Sequence, residues 1–400
     1  MSFVLAERVT RLKASASIEA QEKVVRLAAA GIKVVDFTIG EPCIDTAPHI
    51  VAAAIEAMKA GDTHYTPAWG KPALRQAISR KLERDNHLQY GIDRIVVGCG
   101  AKQLIFEAFA ATLSEQDEVI IPAPHWVSYP EIVRLNGGKP ILVECGENVG
   151  FKLRGDGLEK AITPRTRWLV LNSPNNPSGA VYSRDEMGEI ARVLARHPHV
   201  GVMVDEIYEY LTFDGNVSLN PVQVDPSLAS RTLLVNGMSK GYAMTGWRIG
   251  YAAGPAALIA AIAKLLGQST SCASSISQTA AIAALDGDQT HVRQAVRDYE
   301  QKRDRMMALL GQAPGLRLTK PEGAFYLYPS VAGLIGRRTP AGKILETDTD
   351  VAMYLLDHGV AVLDGTPYGL SPYLRLSFAN SLEAIEEGCL RIVEACKRLH

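Results

Sequence analysis

The middle of the chain alternates short apolar runs with longer segments of helical period. The runs at 94–97, 118–121, 168–171, 200–204, 232–235 and 247–253 are mostly apolar, and each is followed by glycine, proline, asparagine or aspartate. Between them 101–113 and 127–135, and after them 256–266 and 273–285, repeat apolar residues at helical spacing. Strands this apolar are buried on both faces, and strand–helix alternation places successive strands parallel. The pattern therefore predicts an α/β fold, a mostly parallel sheet covered by helices on both faces, over residues 46–287.

The flanks read differently. A helix over 13–30 and an extended run at 33–39 precede Gly40-Glu41-Pro42. Asp45 or Thr46 then caps a helix running to 60, with Pro48 in its first turn and Gly61 beyond its end. A loop at 64–70 leads into a helix at 71–84. From 288 a long charged helix runs to 310, followed by short strands at 316–318, 324–328 and 373–378 and helices at 348–358 and 382–399. Residues 1–45 and 288–400 are expected to form a smaller α+β domain from both chain ends. Four hundred residues suit two domains better than one core.

Charge and cysteine content narrow the class. Lys and Arg number 42 against 43 Asp and Glu, with no dense basic run, which argues against a nucleic-acid partner. No apolar run is long enough to span a bilayer, and Glu7 and Arg8 stand where a signal peptide needs apolar residues, so a cytoplasmic location is expected. Six scattered cysteines without a Cys-x-x-Cys pair suit reduced thiols. Neither a Walker loop nor a metal-ligand spacing occurs, so no metal site is expected.

Several polar residues stand just past apolar runs, where open α/β sheets place their ligands. Lys240 follows the run that ends at Asn236-Gly237; burial there makes its amine a nucleophile for a carbonyl, and the alternative is a surface lysine. Arg248, eight residues on, is then placed to hold an anion. Gly98-Cys99-Gly100-Ala101-Lys102-Gln103 joins a strand to a helix, a suitable phosphate cradle that also half-matches a dinucleotide fingerprint without its third glycine. Trp126 is either core or a platform for an aromatic ring. Asp205 closes an all-apolar strand, either as a helix cap or against a positive partner. Arg375, alone among its neighbours in Tyr373-Leu374-Arg375-Leu376-Ser377, suits a grip on a carboxylate.

The segment Ser239-Lys240-Gly241-Tyr242-Ala243-Met244-Thr245-Gly246-Trp247-Arg248 resembles the cofactor-lysine segment of the class I aminotransferases, enzymes of pyridoxal 5'-phosphate (PLP). Gly40-Glu41-Pro42, Trp126-Val127-Ser128-Tyr129-Pro130, the Asn172–Gly179 turn, Asp205 to Tyr208 and the Arg375 strand match in order. The resemblance implies PLP fold type I and a homodimer. It implies that Lys240 joins PLP as a Schiff base and shuttles the proton, with Asp205 on the pyridine nitrogen and Tyr208 and Asn176 on the phenolic oxygen. Gly100, Ala101, Lys102, Ser239 and Arg248 would surround the phosphate, with Tyr65 reaching it from the neighbouring subunit. Trp126 would cover the ring. Arg375 and Gly40 would take the substrate carboxylate beside Trp126 and Asn176, and Lys102 with Ser17 a distal one. The implied reaction is transamination between an L-amino acid and a 2-oxo acid, with aspartate or glutamate foremost and aromatic or prephenate substrates as the alternative. A PLP lyase acting at Cβ and a PLP-sensing regulator are the remaining readings. The sequence departs from the family pattern at Cys43, Ala47, His125, Gly237 and Asp364.

Overall fold

A computed structural model describes residues 3–10 and 33–400. Ser17 and the helix expected over 13–30 lie outside these residues. The strands are β1 Val35–Asp36, β2 Ile95–Gly98, β3 Glu118–Ala123, β4 Lys139–Glu144, β5 Thr166–Asn172, β6 Gly201–Asp205, β7 Thr232–Gly237, β8 Gly250–Ala253, β9 Tyr326–Leu327, β10 Val360–Ala361, β11 Leu363–Asp364 and β12 Leu374–Ser377.

Seven of them form the main sheet in the order β2-β8-β7-β6-β5-β3-β4. All neighbours pair in parallel except β8, which runs antiparallel to both β2 and β7. Within each strand, successive side chains go to opposite faces. Ile120, Leu169, Leu171, Val202, Val204 and Leu234 join one hydrophobic cluster, with the helices Pro48–Lys59, Pro72–Asn86, Arg184–Arg196 and Ser275–Asp286. Val119, Ile121, Val170, Met203, Leu233 and Val235 join another, with Ala101–Thr112, Ser128–Leu135 and Ala256–Ser269. Both faces are thus covered, as continuous apolar strands require.

A third cluster gathers Val35 and Phe37 with the long helix Thr290–Leu310, strands β9, β10 and β12, and the helix Leu382–Lys397. β1 pairs with β10 in parallel, and β12 lies between β11 and β9, antiparallel to each. Segments far apart in sequence therefore share one small core.

Some local expectations need correction. Neither Asp45 nor Thr46 caps the helix Pro48–Lys59: its N-cap is Ala47, without a side-chain hydrogen bond. The Thr46 hydroxyl donates instead to the Ala243 carbonyl at 2.7 Å, which joins the segment before this helix to the turn after Lys240. Residues 316–318 form no strand, only a bridge between Arg317 and Ser330. β8 begins at Gly250 rather than 247, because Arg248 adopts a left-handed conformation (φ 55°) that no strand accommodates. β4 was not expected at all. It is a partly exposed edge strand carrying Pro140, a residue sheets confine to edges.

Candidate active site

The ends of the parallel strands converge on one cavity of about 500 Å³. Asp205 is the last residue of β6 and Asn172 the last of β5; Trp126 follows β3, and Lys240 follows β7. β2 ends at Gly98, and the helix Ala101–Thr112 starts with Gly100 as its N-cap. Such strand ends collect polar groups because the sheet interior excludes them and the loops beyond it are free to bear them.

Lys240 is half-buried, and its ammonium donates to the Gly40 carbonyl. Burial, with the Arg375 charge second, pulls its pKa down to about 8. Asp205 is 5 % exposed; its Oδ2 accepts from the Tyr129 hydroxyl at 2.6 Å and its Oδ1 from the Ile207 amide at 3.2 Å. Burial raises its pKa against those two hydrogen bonds. Among the described residues Asp205 has no ion-pair partner within reach. That leaves a buried carboxylate without a close cation.

Arg248 donates from Nη1 to the Thr245 carbonyl at 2.8 Å. Its guanidinium lies over the helix start. A Cβ on Gly100, whose φ is +92°, would come within 2.6 Å of Arg248 Nη2. Only glycine allows this approach of a cation to the first helical amides, and the result is a cradle for an anion. Lys102 stands at the rim with Nζ 4.8 Å from the Trp126 ring centroid; partial burial, then the Arg248 charge, lowers its pKa. Trp126 meets Tyr129 edge-on at 5.2 Å.

Arg375 is buried in β12. Nη2 donates to the Thr38 carbonyl at 2.6 Å and Nη1 to Asn176 Oδ1 at 3.3 Å, while Nε has no hydrogen-bond partner among the described residues. Tyr208 is buried, its hydroxyl 2.9 Å from that of Tyr326. Ser239 and Ala101 also line the cavity.

The cavity thus brings together Gly40, Ala101, Lys102, Trp126, Asn176, Asp205, Tyr208, Ser239, Lys240, Arg248 and Arg375, with Gly100 directly behind. Tyr65 is not among the lining residues; it is 89 % exposed on the surface. Sequence reasoning gave no role to Tyr326, Thr38, Ile105 or Thr245, which also line it. An aromatic or β-branched residue inside an apolar run carries no mark separating a cavity wall from core.

The departures from the family pattern have local explanations in part. His125 is buried, with Nδ1 3.0 Å from the Trp126 carbonyl, and burial lowers its pKa to about 4, so the imidazole is neutral. A Cβ on Gly237 would lie 2.9 Å from the Ile249 carbonyl of the adjoining chain segment. Asp364 accepts from the Thr349 hydroxyl at 2.6 Å.

Comparison with known proteins places this geometry. Residues 32–392 match the model of the family described as aminotransferase class I and II. The chain belongs to that aminotransferase family. It is 48 % identical over 397 residues to a probable aspartate/prephenate aminotransferase of Rhizobium leguminosarum bv. phaseoli, covering 99 % of each chain. It superposes on the crystal structure of the aspartate aminotransferase from Rhizobium meliloti with a TM-score of 0.98, at 46 % identity and full coverage of both. The aspartate aminotransferase from Thermus thermophilus with maleate gives 0.92 at 37 % identity, covering 98 % of this chain and all of that one. The protein is an aminotransferase of the type I fold, and transamination is its reaction class. Among the described residues, no helix is long and apolar enough to cross a membrane.

Proposed function

We propose that this aminotransferase uses PLP to exchange amino groups between dicarboxylic amino acids and 2-oxo acids. The observation that carries the reading is one cavity holding a lysine of lowered pKa, a buried carboxylate without an ion pair among the described residues and two arginines from separate elements. The residues fit PLP. Arg248 over the Gly100 amide end suits its phosphate, the Trp126 indole its ring, and the Asp205 carboxylate a protonated pyridine nitrogen.

When bound, PLP supplies an aldehyde that takes up the amino group and a pyridinium that withdraws electrons from the carbon losing its proton. Lys240 would carry the covalent link and would move the proton at the substrate Cα. Asp205 would hold the proton on the pyridine nitrogen. Asn176 and Tyr208 would steady the phenolic oxygen, and Ser239, Gly100, Ala101, Lys102 and Arg248 the phosphate. Arg375, with Gly40 beside it, grips the α-carboxylate; the unpartnered Nε leaves a donor for that purpose.

The reading divides the chain into a PLP domain, 46–287, and a smaller domain from 1–45 and 288–400. Separate hydrophobic clusters support this, although Tyr208, Leu211 and Phe213 join the one that gathers Val35 and Phe37 with the C-terminal elements. It also makes the enzyme a cytoplasmic homodimer in which Tyr65 serves the neighbour's site. Mixing Tyr65→Ala with Lys240→Ala chains under exchange should then restore activity, because each hybrid holds one intact site. No recovery in demonstrated hybrids would return Tyr65 to its own subunit.

Preference for a dicarboxylic substrate rests on Lys102, whose ammonium stands over Trp126 at the rim. Relatives carry the names aspartate and aspartate/prephenate aminotransferase, and one solved relative is with maleate, a dicarboxylate. A hydrogen bond to a charged group is worth roughly 1.5–3 kcal/mol, so Lys102→Ala should lower kcat/KM for aspartate about ten- to a hundredfold. Phenylalanine should be little affected, since a flexible lysine swings aside for it. The test is a half-reaction panel that follows the cofactor's absorbance as each amino acid is added to wild type and variant. An equal fall for both substrates defeats the assignment, and ammonia release in place of amino transfer defeats the transamination reading.

A further inference from the structure

We propose that Tyr326 positions both sides of the site: its hydroxyl donates to Tyr208 and turns the Tyr208 proton into the cavity, while its ring seats Arg375. The inference rests on the reading above, in which Tyr208 meets an anionic cofactor oxygen and Arg375 a substrate carboxylate.

Register explains the placement. In the antiparallel pair of β9 and β12, Tyr326 stands opposite Ser377, which puts Arg375 at the diagonal position on the same face. The Arg375 guanidinium carbon lies 4.4 Å from the Tyr326 ring centroid, and 5.4 Å from that of Tyr368. The aromatic faces fix the guanidinium plane through cation–π attraction, so its edge, with the unpartnered Nε, keeps one orientation.

The hydroxyl does a second task. The Tyr208 and Tyr326 oxygens are 2.9 Å apart, and among the described residues neither has another hydrogen-bond partner. Each phenol has one proton, so one must donate to the other, and the acceptor keeps its own proton for a ligand. Both hydroxyls are buried. Burial raises the pKa of both phenols; the Arg375 charge is the foremost influence opposing it at Tyr326. The Arg375 guanidinium lies 4.4 Å from the Tyr326 ring centroid, closer than the Lys240 ammonium to that of Tyr208 at 5.9 Å, and this makes Tyr326 the better donor. Its bond to Tyr208 then polarises Tyr208 O–H toward the cavity, as linked hydrogen bonds do.

Two variants separate the roles. Tyr326→Phe keeps the ring and loses the donor, so KM for aspartate should stay within about twofold while kcat falls about two- to tenfold. With Tyr208 a weaker donor, a proton at the cofactor-linked Lys240 nitrogen would be held more tightly. The pH at which the bound cofactor's absorbance titrates should therefore rise by roughly half to one unit. Tyr326→Leu removes the ring as well and should raise KM about three- to thirtyfold. A protein merely loosened by either change would lose activity without the upward titration shift. Wild-type amino transfer with an unmoved Tyr326→Phe titration, or with wild-type KM in Tyr326→Leu, overturns the Tyr326 assignment alone. Absence of amino transfer in the wild type overturns both this inference and the reading beneath it.

Discussion

Lys240→Ala is expected to lose the borohydride-reducible link to PLP together with nearly all turnover. Burial and the Arg375 charge bring the Lys240 pKa to about 8, so about a tenth of it is free amine at pH 7. An unperturbed lysine is free amine in only about one molecule in a few thousand at that pH. The other cavity lysine, Lys102, stands over Trp126 at the rim, beside the phosphate cradle rather than beside Asp205. It is poorly placed to substitute. Removing the Lys240 amine also removes its bond to the Gly40 carbonyl, which ties the 38–41 segment to the cavity floor. Reduction with borohydride followed by peptide mass mapping locates the link. A label at Lys102 or elsewhere, with activity intact in Lys240→Ala, would discard the mechanism.

Asp205→Ala is expected to keep PLP bound while turnover falls about a hundredfold or more, the scale of losing a positioned proton-holding group. Binding survives because the phosphate contacts come from other elements, at Arg248 and the helix start. Turnover falls because a pyridine nitrogen without its proton is a poor electron sink. The structure sharpens the alternative. Asp205 Oδ1 also accepts from the Ile207 amide, so the carboxylate closes the turn that leads to Tyr208. Asp205→Asn retains an oxygen acceptor for that amide and places an NH2 toward Tyr129, whose hydroxyl can accept from it, but it offers no charge to the nitrogen. If Asp205→Asn turns over nearly as well as wild type, the residue only closes the turn. If it is as impaired as alanine, the charge is what matters.

Much of the fold was legible because burial writes itself into composition. Strands β2, β3, β5, β6 and β7 are sealed by helices on both faces, so each appears as an apolar run ended by a polar or turn residue. The same rule exposed Asp205, Lys240 and the Gly100 loop, since a polar group directly after a buried strand stands out. Where exposure is mixed the signal fails. β4 alternates partly buried and exposed residues around Pro140, and the short strands β10 and β11 are only two residues each.

Direction and neighbourhood belong to the tertiary structure. An apolar run reads alike whichever way it points, so nothing in Gly250–Ala253 marks β8 as antiparallel within an otherwise parallel sheet. Tyr326 is equally mute, for within its apolar segment an aromatic residue reads as core. It becomes part of the site because β9 pairs with β12 in one register, which lays its ring against Arg375 and its hydroxyl against Tyr208, 118 residues away in sequence. Residue types at strand ends are set by the local cost of burying polar groups, and that cost is readable along the chain. Which ends meet is set by long-range pairing and packing, whose free energy is distributed over contacts that no single segment contains.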